Sequence, residues 1–363
     1  MKVLRITRSV LVTALGFGLA CSLPSIGMAK VHDKVCSDCH TMHNSQETAA
    51  DLIASWSIST GAKGALLANT CYGCHTGDAG ISAIGAPQVI TSGGPQSDGI
   101  LPGGFFSAAN ENNEQHTITA IGLGTDLAAP PGWDIATSPR TTATAWTNTA
   151  LVCAGTYGCH GTIDQPDQGA AVSGIHHRAT ALGYRGLAGI NGVESTLYNV
   201  KYNGYSAVNK PSDASSYTTI SALCGECHSK FHDVDGESDV LSSGAWIRHP
   251  TDFALDSANQ SNDAYTSYGA AGNAYNEEVP VGWVNNNAGL STNSGTTDFQ
   301  YWGDNPGTSV SAVICLSCHR AHGSTNHDLL RWDYAGMIAG SPTAAGATPG
   351  KGCFRCHTTK DDA

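Results

Sequence analysis

The sequence predicts a fold that is mostly coil and turns with a few short helices, its interior filled by something other than side chains. Three observations lead there. Glycine is abundant, 43 of 363 residues, while aromatic residues make up 7% and charged residues only 13%. Sustained apolar periodicity is scarce, the rest being rich in Ser, Thr, Asn and Ala, a composition that cannot close an ordinary core. A short motif, C-x-x-C-H, recurs five times.

The first 29 residues read as a signal peptide. Lys2, Arg5 and Arg8 form a positive start, "SVLVTALGFGLA" an apolar stretch, and "SIGMA" a small-residue cleavage site ending at Ala29. The apolar stretch is too short to span a membrane and nothing later resembles a span, so a soluble mature protein without a transmembrane segment is expected. Lipidation at Cys21 is the alternative, but "GLAC" lacks the Leu expected three residues earlier. Removing the leader takes away three cations and no acids, shifting the net charge from −12 to −15. A balance this acidic argues against nucleic acid or anionic lipid as a partner.

Ten of the twelve mature cysteines lie in the five motifs: Cys36, Cys39 and His40; Cys71, Cys74 and His75; Cys224, Cys227 and His228; Cys315, Cys318 and His319; Cys353, Cys356 and His357. Chance predicts roughly 0.02 occurrences in a chain of this composition. Two thiols one short turn apart can add to the two vinyl groups on one edge of a haem, and the next residue, His, then lies under the ring as the proximal iron ligand. Zinc would need two C-x-x-C pairs converging and no invariant His. A C-x-x-C disulfide would close a very short loop and stabilise little. Covalent haem c is therefore the predicted cofactor.

The remaining mature cysteines, Cys153 and Cys159, lie in "LVCAGTYGCHGT", where Cys159 is followed by His160. Gly155 and Gly158 can take positive φ and let the longer loop bulge while both sulfurs reach one ring edge. This makes a sixth haem site; a Cys153–Cys159 disulfide is the alternative.

Six irons need six distal ligands. The mature chain has only two methionines, Met42 and Met337, so histidine must supply most of them. Nine histidines remain after the proximal set. His43 and His322 lie three residues after a proximal His and His232 four after, on the same face of a helix one turn away. Such a residue cannot sit opposite its neighbour on one ring, so it should ligate an adjacent haem. His249 precedes Pro250 and suits a ligand offered from a loop. His176 and His177 would point to opposite sides of an extended chain, so one of the two is expected to bind. The predicted distal set is His43, His116, His177, His232, His249 and His322, with His176 and His32 as alternates; His32 and His327 are the expected leftovers. Irons with two imidazoles resist substrate binding and exchange electrons without bond chemistry, at lower potential than a His/Met pair. The sequence thus predicts an electron-transfer protein rather than an enzyme. A reductase would need an open or Lys-ligated site, and no C-x-x-C-K is present.

The motif starts are separated by 35, 82, 71, 91 and 38 residues. No large gap lacks a ligand candidate, so residues 30–363 are expected to form a single hexahaem cytochrome unit, with stacked haems as its core. Short helices are expected at "QETAADLIASW" and just after several motifs. The Asn-, Gly-, Ser- and Tyr-rich stretch from about Ser257 to Ser309 reads as a surface excursion.

At "CSDCHTMHNS", "CLSCHRAHG" and "RHP" the chain resembles the extracellular multihaem c-type cytochromes of metal-reducing bacteria, in particular the hexahaem OmcS-type cytochromes that form nanowires. The resemblance covers the order of the haem sites and their flanking histidines, not the intervening loops. It implies bis-His ligation throughout, haems alternating between parallel and T-shaped contacts, and assembly into a conductive extracellular homopolymer passing electrons to acceptors such as minerals or partner cells. It also implies that His43 is donated to the adjacent subunit's haem on Cys315, Cys318 and His319. Two departures concern the third site: those relatives have C-x-x-C-H where this chain has C-x5-C-H, and the "GIHH" histidines follow it at a different place. A discrete periplasmic or extracellular carrier, with every ligand supplied in cis, is the alternative.

Overall fold

The computed structural model describes residues 39–40, 66–67, 70–75, 89–91, 103–107, 113–118, 129–133, 151–177, 184–190, 192–193, 204–207, 218–232, 249, 251–254, 278–284, 310–338 and 352–356. Cys36, His43, His32 and His357, with the leader and "QETAADLIASW", lie outside them.

Regular structure among the described residues is short, and much of it is built by the motifs. Helix α1 is Cys71–Cys74 and α6 is Cys315–Cys318. The fourth motif begins inside α4, Ile220–Gly225, and ends just before α5, Ser229–His232. Two cysteines three apart followed by His make one helical turn: His75, His228 and His319 each donate their backbone N–H to the first cysteine's carbonyl, at 2.9, 2.9 and 3.0 Å. Helices α2 (Gln168–Ala171) and α3 (Ser173–His176) are single turns; Asp167 caps α2 by accepting from Ala170 N at 2.8 Å.

The third motif differs. Strands β3 (Val152–Ala154) and β4 (Gly158–His160) pair across a tight bulge. Gly155, at φ +87°, makes that bulge, donating to the His160 carbonyl at 3.1 Å and accepting from Gly158 N at 2.9 Å. A side chain there would be strained by its backbone and would press on the Gln165 carbonyl.

Two-residue strands β1 (Ile90–Thr91) and β2 (Phe106–Ser107) pair near the second motif. The largest element is a five-stranded sheet ordered β5-β6-β8-β9-β7. Its strands are Gly192–Val193, Gly204–Ala207, Gly282–Val284, Val310–Val313 and Phe253–Ala254 for β5, β6, β8, β9 and β7. Pairing is antiparallel except β6–β8, and Tyr205, Gly282 and Ala312 lie in one cross-strand row.

The sheet corrects two expectations. Residues 279–282 are not surface: Val279 and Val281 are buried and lead into β8 at the sheet's centre. A side-chain core also exists. Tyr184 and Tyr205 meet edge to face at 5.7 Å, with Leu187, Ile190, Ile220, Leu223, Ile314 and Leu316 packed around them. Each fully buried aliphatic side chain contributes about 1.5–3 kcal/mol. This core lies under α4 and α6, so it fixes the fourth and fifth motifs together. Ser317 Oγ accepts from Ile314 N at 3.0 Å and donates to the Pro280 carbonyl, while Ser221 Oγ accepts from Cys315 N at 3.1 Å. No helix among the described residues is long and apolar enough to cross a membrane.

Candidate functional site

The described cysteines form no disulfide with one another, and Cys153 and Cys159 are separate thiols. Each motif's thiols neighbour those of the next along the chain, and at two junctions they hydrogen-bond. Cys39 acts electrostatically on Cys74, and Cys71 hydrogen-bonds Cys153, which lowers the Cys71 thiol pKa. Cys159 acts on Cys224, and Cys224 hydrogen-bonds Cys315, raising its own pKa and lowering that of Cys315 to about 7. Cys318 faces Cys353 and Cys356. The six motifs thus run in space in their sequence order. Burial pushes Cys74 up to about 11 and Cys318 and Cys356 up to about 12, so these are protonated thiols at neutral pH.

The histidines are arranged by their neighbours' backbone. His116 Nδ1 meets the Ala321 carbonyl at 2.7 Å, His228 Nδ1 that of Pro131 at 2.8 Å, and His319 Nδ1 that of Asp328 at 2.7 Å. His160 Nδ1 meets the Arg185 carbonyl at 3.1 Å and His322 Nδ1 that of Gly104 at 3.2 Å. A carbonyl only accepts, so the ring proton sits on Nδ1. Nε2 is then left with the lone pair that a metal takes, the tautomer ligating histidines adopt.

Unusual backbone delivers several of these carbonyls. Arg185 (φ +52°) and Asp328 (φ +59°) are non-glycine residues in left-handed conformation inside the short turns Tyr184–Gly186 and His327–Leu329. Gly104 (φ +72°) turns its carbonyl to His322, and a Cβ there would strike the Gly323 carbonyl. The bridges His40↔Leu67 and His319↔Leu330, each beside a left-handed leucine at 66 or 329, repeat one device at two motifs. The matching "ALLA" and "DLLR" strings are the signal that could have revealed it.

Ring pairs follow. His40 and His177 have centroids 5.8 Å apart, His116 and His228 6.1 Å, and His160 and His322 6.4 Å. A metal between two imidazoles, with bonds of about 2 Å and about 1 Å more to each ring centre, sets the centres about 6 Å apart. The residues therefore fit a bis-His haem iron at three motifs. Each pair joins a motif histidine to one from a distant part of the chain. His176, at the end of α3, is lowered to about 4 by burial, and His75 is the charge that acts on it most. Because the two residues turn through a helix rather than lying extended, His177 faces His40 while His176 lies near His75.

Burial also lowers His116 and His322 to about 4, and lowers His160, His228 and His319. These rings are neutral at pH 7, so ligation requires no deprotonation. His249 lies exposed. His232 is buried and faces Asp252 at 3.0 Å. His327 Nδ1 meets the Asn113 side chain.

The last two motifs decide the comparison. Residues 309–362 match the family model of the doubled CXXCH motif. C-x-x-C-H motifs mark covalent haem c sites, and the fold is of the multihaem cytochrome c kind, mostly coil with few short helices. No curated protein matches the chain. Two solved structures are similar to it. The OmcS nanowires of Geobacter sulfurreducens, seen by cryo-EM, share 18% identity over 93% of this chain and 92% of theirs, at a TM-score of 0.38. The outer membrane cytochrome S filament of the same organism shares 20% identity over 86% of this chain and 85% of that one, at a TM-score of 0.40.

Proposed function

We propose that this protein is a secreted electron-transfer protein that binds six haems c, each between two histidines, and assembles head to tail into an extracellular filament. The observation that carries the electron-transfer reading is that each motif's thiols neighbour those of the next in chain order, hydrogen-bonded where Cys71 meets Cys153 and where Cys224 meets Cys315. Haem c, when bound, supplies reversible one-electron exchange at iron.

The chain's own residues do the rest. Cysteines fix each ring edge against its neighbour's edge. The carbonyls of Ala321, Pro131, Asp328, Arg185 and Gly104 hold imidazoles with Nε2 outward. Paired this way, the histidines leave no open coordination position, which favours electron passage over bond chemistry. The proposed pairs are His40 with His177, His75 with His176, His160 with His322, and His116 with His228. His319 is assigned the His43 of a neighbouring subunit, on the motif resemblance, and His357 takes a ligand from His249, His232 or His32.

Intact mass of the denatured protein tests the haem count. Six haem adducts are expected, and five would remove the site on Cys153 and Cys159. A His43→Ala protein should remain unassembled and gain one high-spin iron. Unchanged size with six low-spin irons would make it a discrete carrier instead.

A further inference from the structure

His232 departs from five other described histidines in the nitrogen it uses. Five rings give Nδ1 to a backbone carbonyl and keep Nε2 for metal. His232 instead sets Nε2 against Asp252 Oδ2 at 3.0 Å, with 6% and 0% of the two side chains exposed. A carboxylate this deep must be paired, and removing its partner would leave a buried charge. The nitrogen that would bind iron is already committed.

Asp252 joins more than His232. Its Oδ2 also accepts from Thr219 Oγ1 at 2.9 Å, and Thr219 caps α4 by accepting from Ala222 N at 3.1 Å. Its backbone N–H donates to the Val313 carbonyl at 2.6 Å, two residues before Cys315. Asp252 holds this position at φ +53°, a strained conformation for a residue other than glycine. His232 ends α5 and lies against Gly225 inside the fourth motif, where a Cβ would press on its ring. Asp252 therefore links the start of α4 and the end of α5 through its carboxylate and the strand entering the fifth motif through its backbone N–H, beside the contact of Cys224 with Cys315.

We propose that His232 is not an iron ligand and that Asp252, His232 and Thr219 form a buried clamp holding the fourth and fifth haem-attachment motifs in register. This reverses the sequence expectation for His232 and leaves the sixth iron to His249 or His32. Asp252 is a positioning residue, acting on the haems through the two motifs it joins.

The inference rests on the bis-His reading, so the experiment separates the two. Wild-type ferrous protein, loaded with haem and exposed to carbon monoxide, should show no Soret change. If it binds carbon monoxide throughout, the bis-His reading fails before the clamp is tested. His116→Gln should gain one carbon-monoxide-binding haem per chain, whereas His232→Gln, which can still donate to Asp252, should gain none. One equivalent bound by His232→Gln would overturn the proposal. Asp252→Ala should alter the ferric low-spin EPR signals, and Asp252→Asn, which retains an acceptor oxygen, should restore most of the wild-type envelope. Because both keep His232, they test the clamp independently. An Asp252→Ala spectrum identical to wild type would also overturn it.

Discussion

A histidine's chemistry here is set by which of its nitrogens is occupied. A carbonyl on Nδ1 leaves the Nε2 lone pair open to a metal, and a carboxylate on Nε2 occupies that nitrogen instead. Replacing His322 by Met should preserve a six-coordinate low-spin iron and raise one midpoint potential in a redox titration, because thioether ligation favours the ferrous state. A lowered or unmoved set of potentials would place His322 off iron. Protonation has a defined sign as well. Unfolded histidines take a proton near pH 6.5, while His116, His176 and His322 resist until about 4. Between those values the unfolded chain binds more protons, so stability is full above about 6.5 and falls as pH drops toward 4. Denaturation midpoints that rise on acidification through this window would contradict the buried, neutral rings. At this scale the sequence made the C-x-x-C-H motifs themselves legible, since one chemical reaction fixes their spacing. It was poor on distal pairing, because partners such as His160 and His322 meet only through tertiary contacts. The orienting groups are backbone carbonyls, which carry no residue signature.

Short elements act as mounts for single atoms. The turn at Tyr184–Gly186 aims the Arg185 carbonyl at His160, and the glycine loop at 103–104 aims another at His322. Gly104→Ala should cost at least about 1–2 kcal/mol from its left-handed backbone alone, with added loss from the contact with Gly323. The measurement is a thermal melt of the haem-loaded protein, with the visible spectrum checking ligation at the third site. Ile314→Ala, in the core beneath α6, should cost about 2–5 kcal/mol by opening a cavity and should weaken haem loading at the fifth motif. A melt within error of wild type would mean that haems alone support that region. The sheet itself was hidden from pattern reading. "EEVPVGWV" carries a Val-rich strand signal, but it is flanked by Asn- and Gly-rich sequence that dominates a compositional reading. The bulge at Gly155 was legible, because a C-x5-C-H spacing needs a residue tolerant of positive φ.

Over the whole molecule, motif order in sequence becomes motif order in space. Successive motifs neighbour one another through their cysteines, by hydrogen bonds at Cys71–Cys153 and Cys224–Cys315 and by electrostatic influence at the other junctions. Composition anticipated a chain poor in regular structure, but it overstated the lack of a protein core. The tyrosine-centred cluster shows that side chains stabilise the fourth and fifth motifs in their own right. The most direct test of the account is a cryo-EM reconstruction of the haem-loaded protein recovered from outside the cell. It should reveal six irons following the motif order, with porphyrin on Cys153 and Cys159 and irons between His40 and His177, His160 and His322, and His116 and His228. A haem path that skips or reorders motifs, or irons lying outside those histidine pairs, would contradict it.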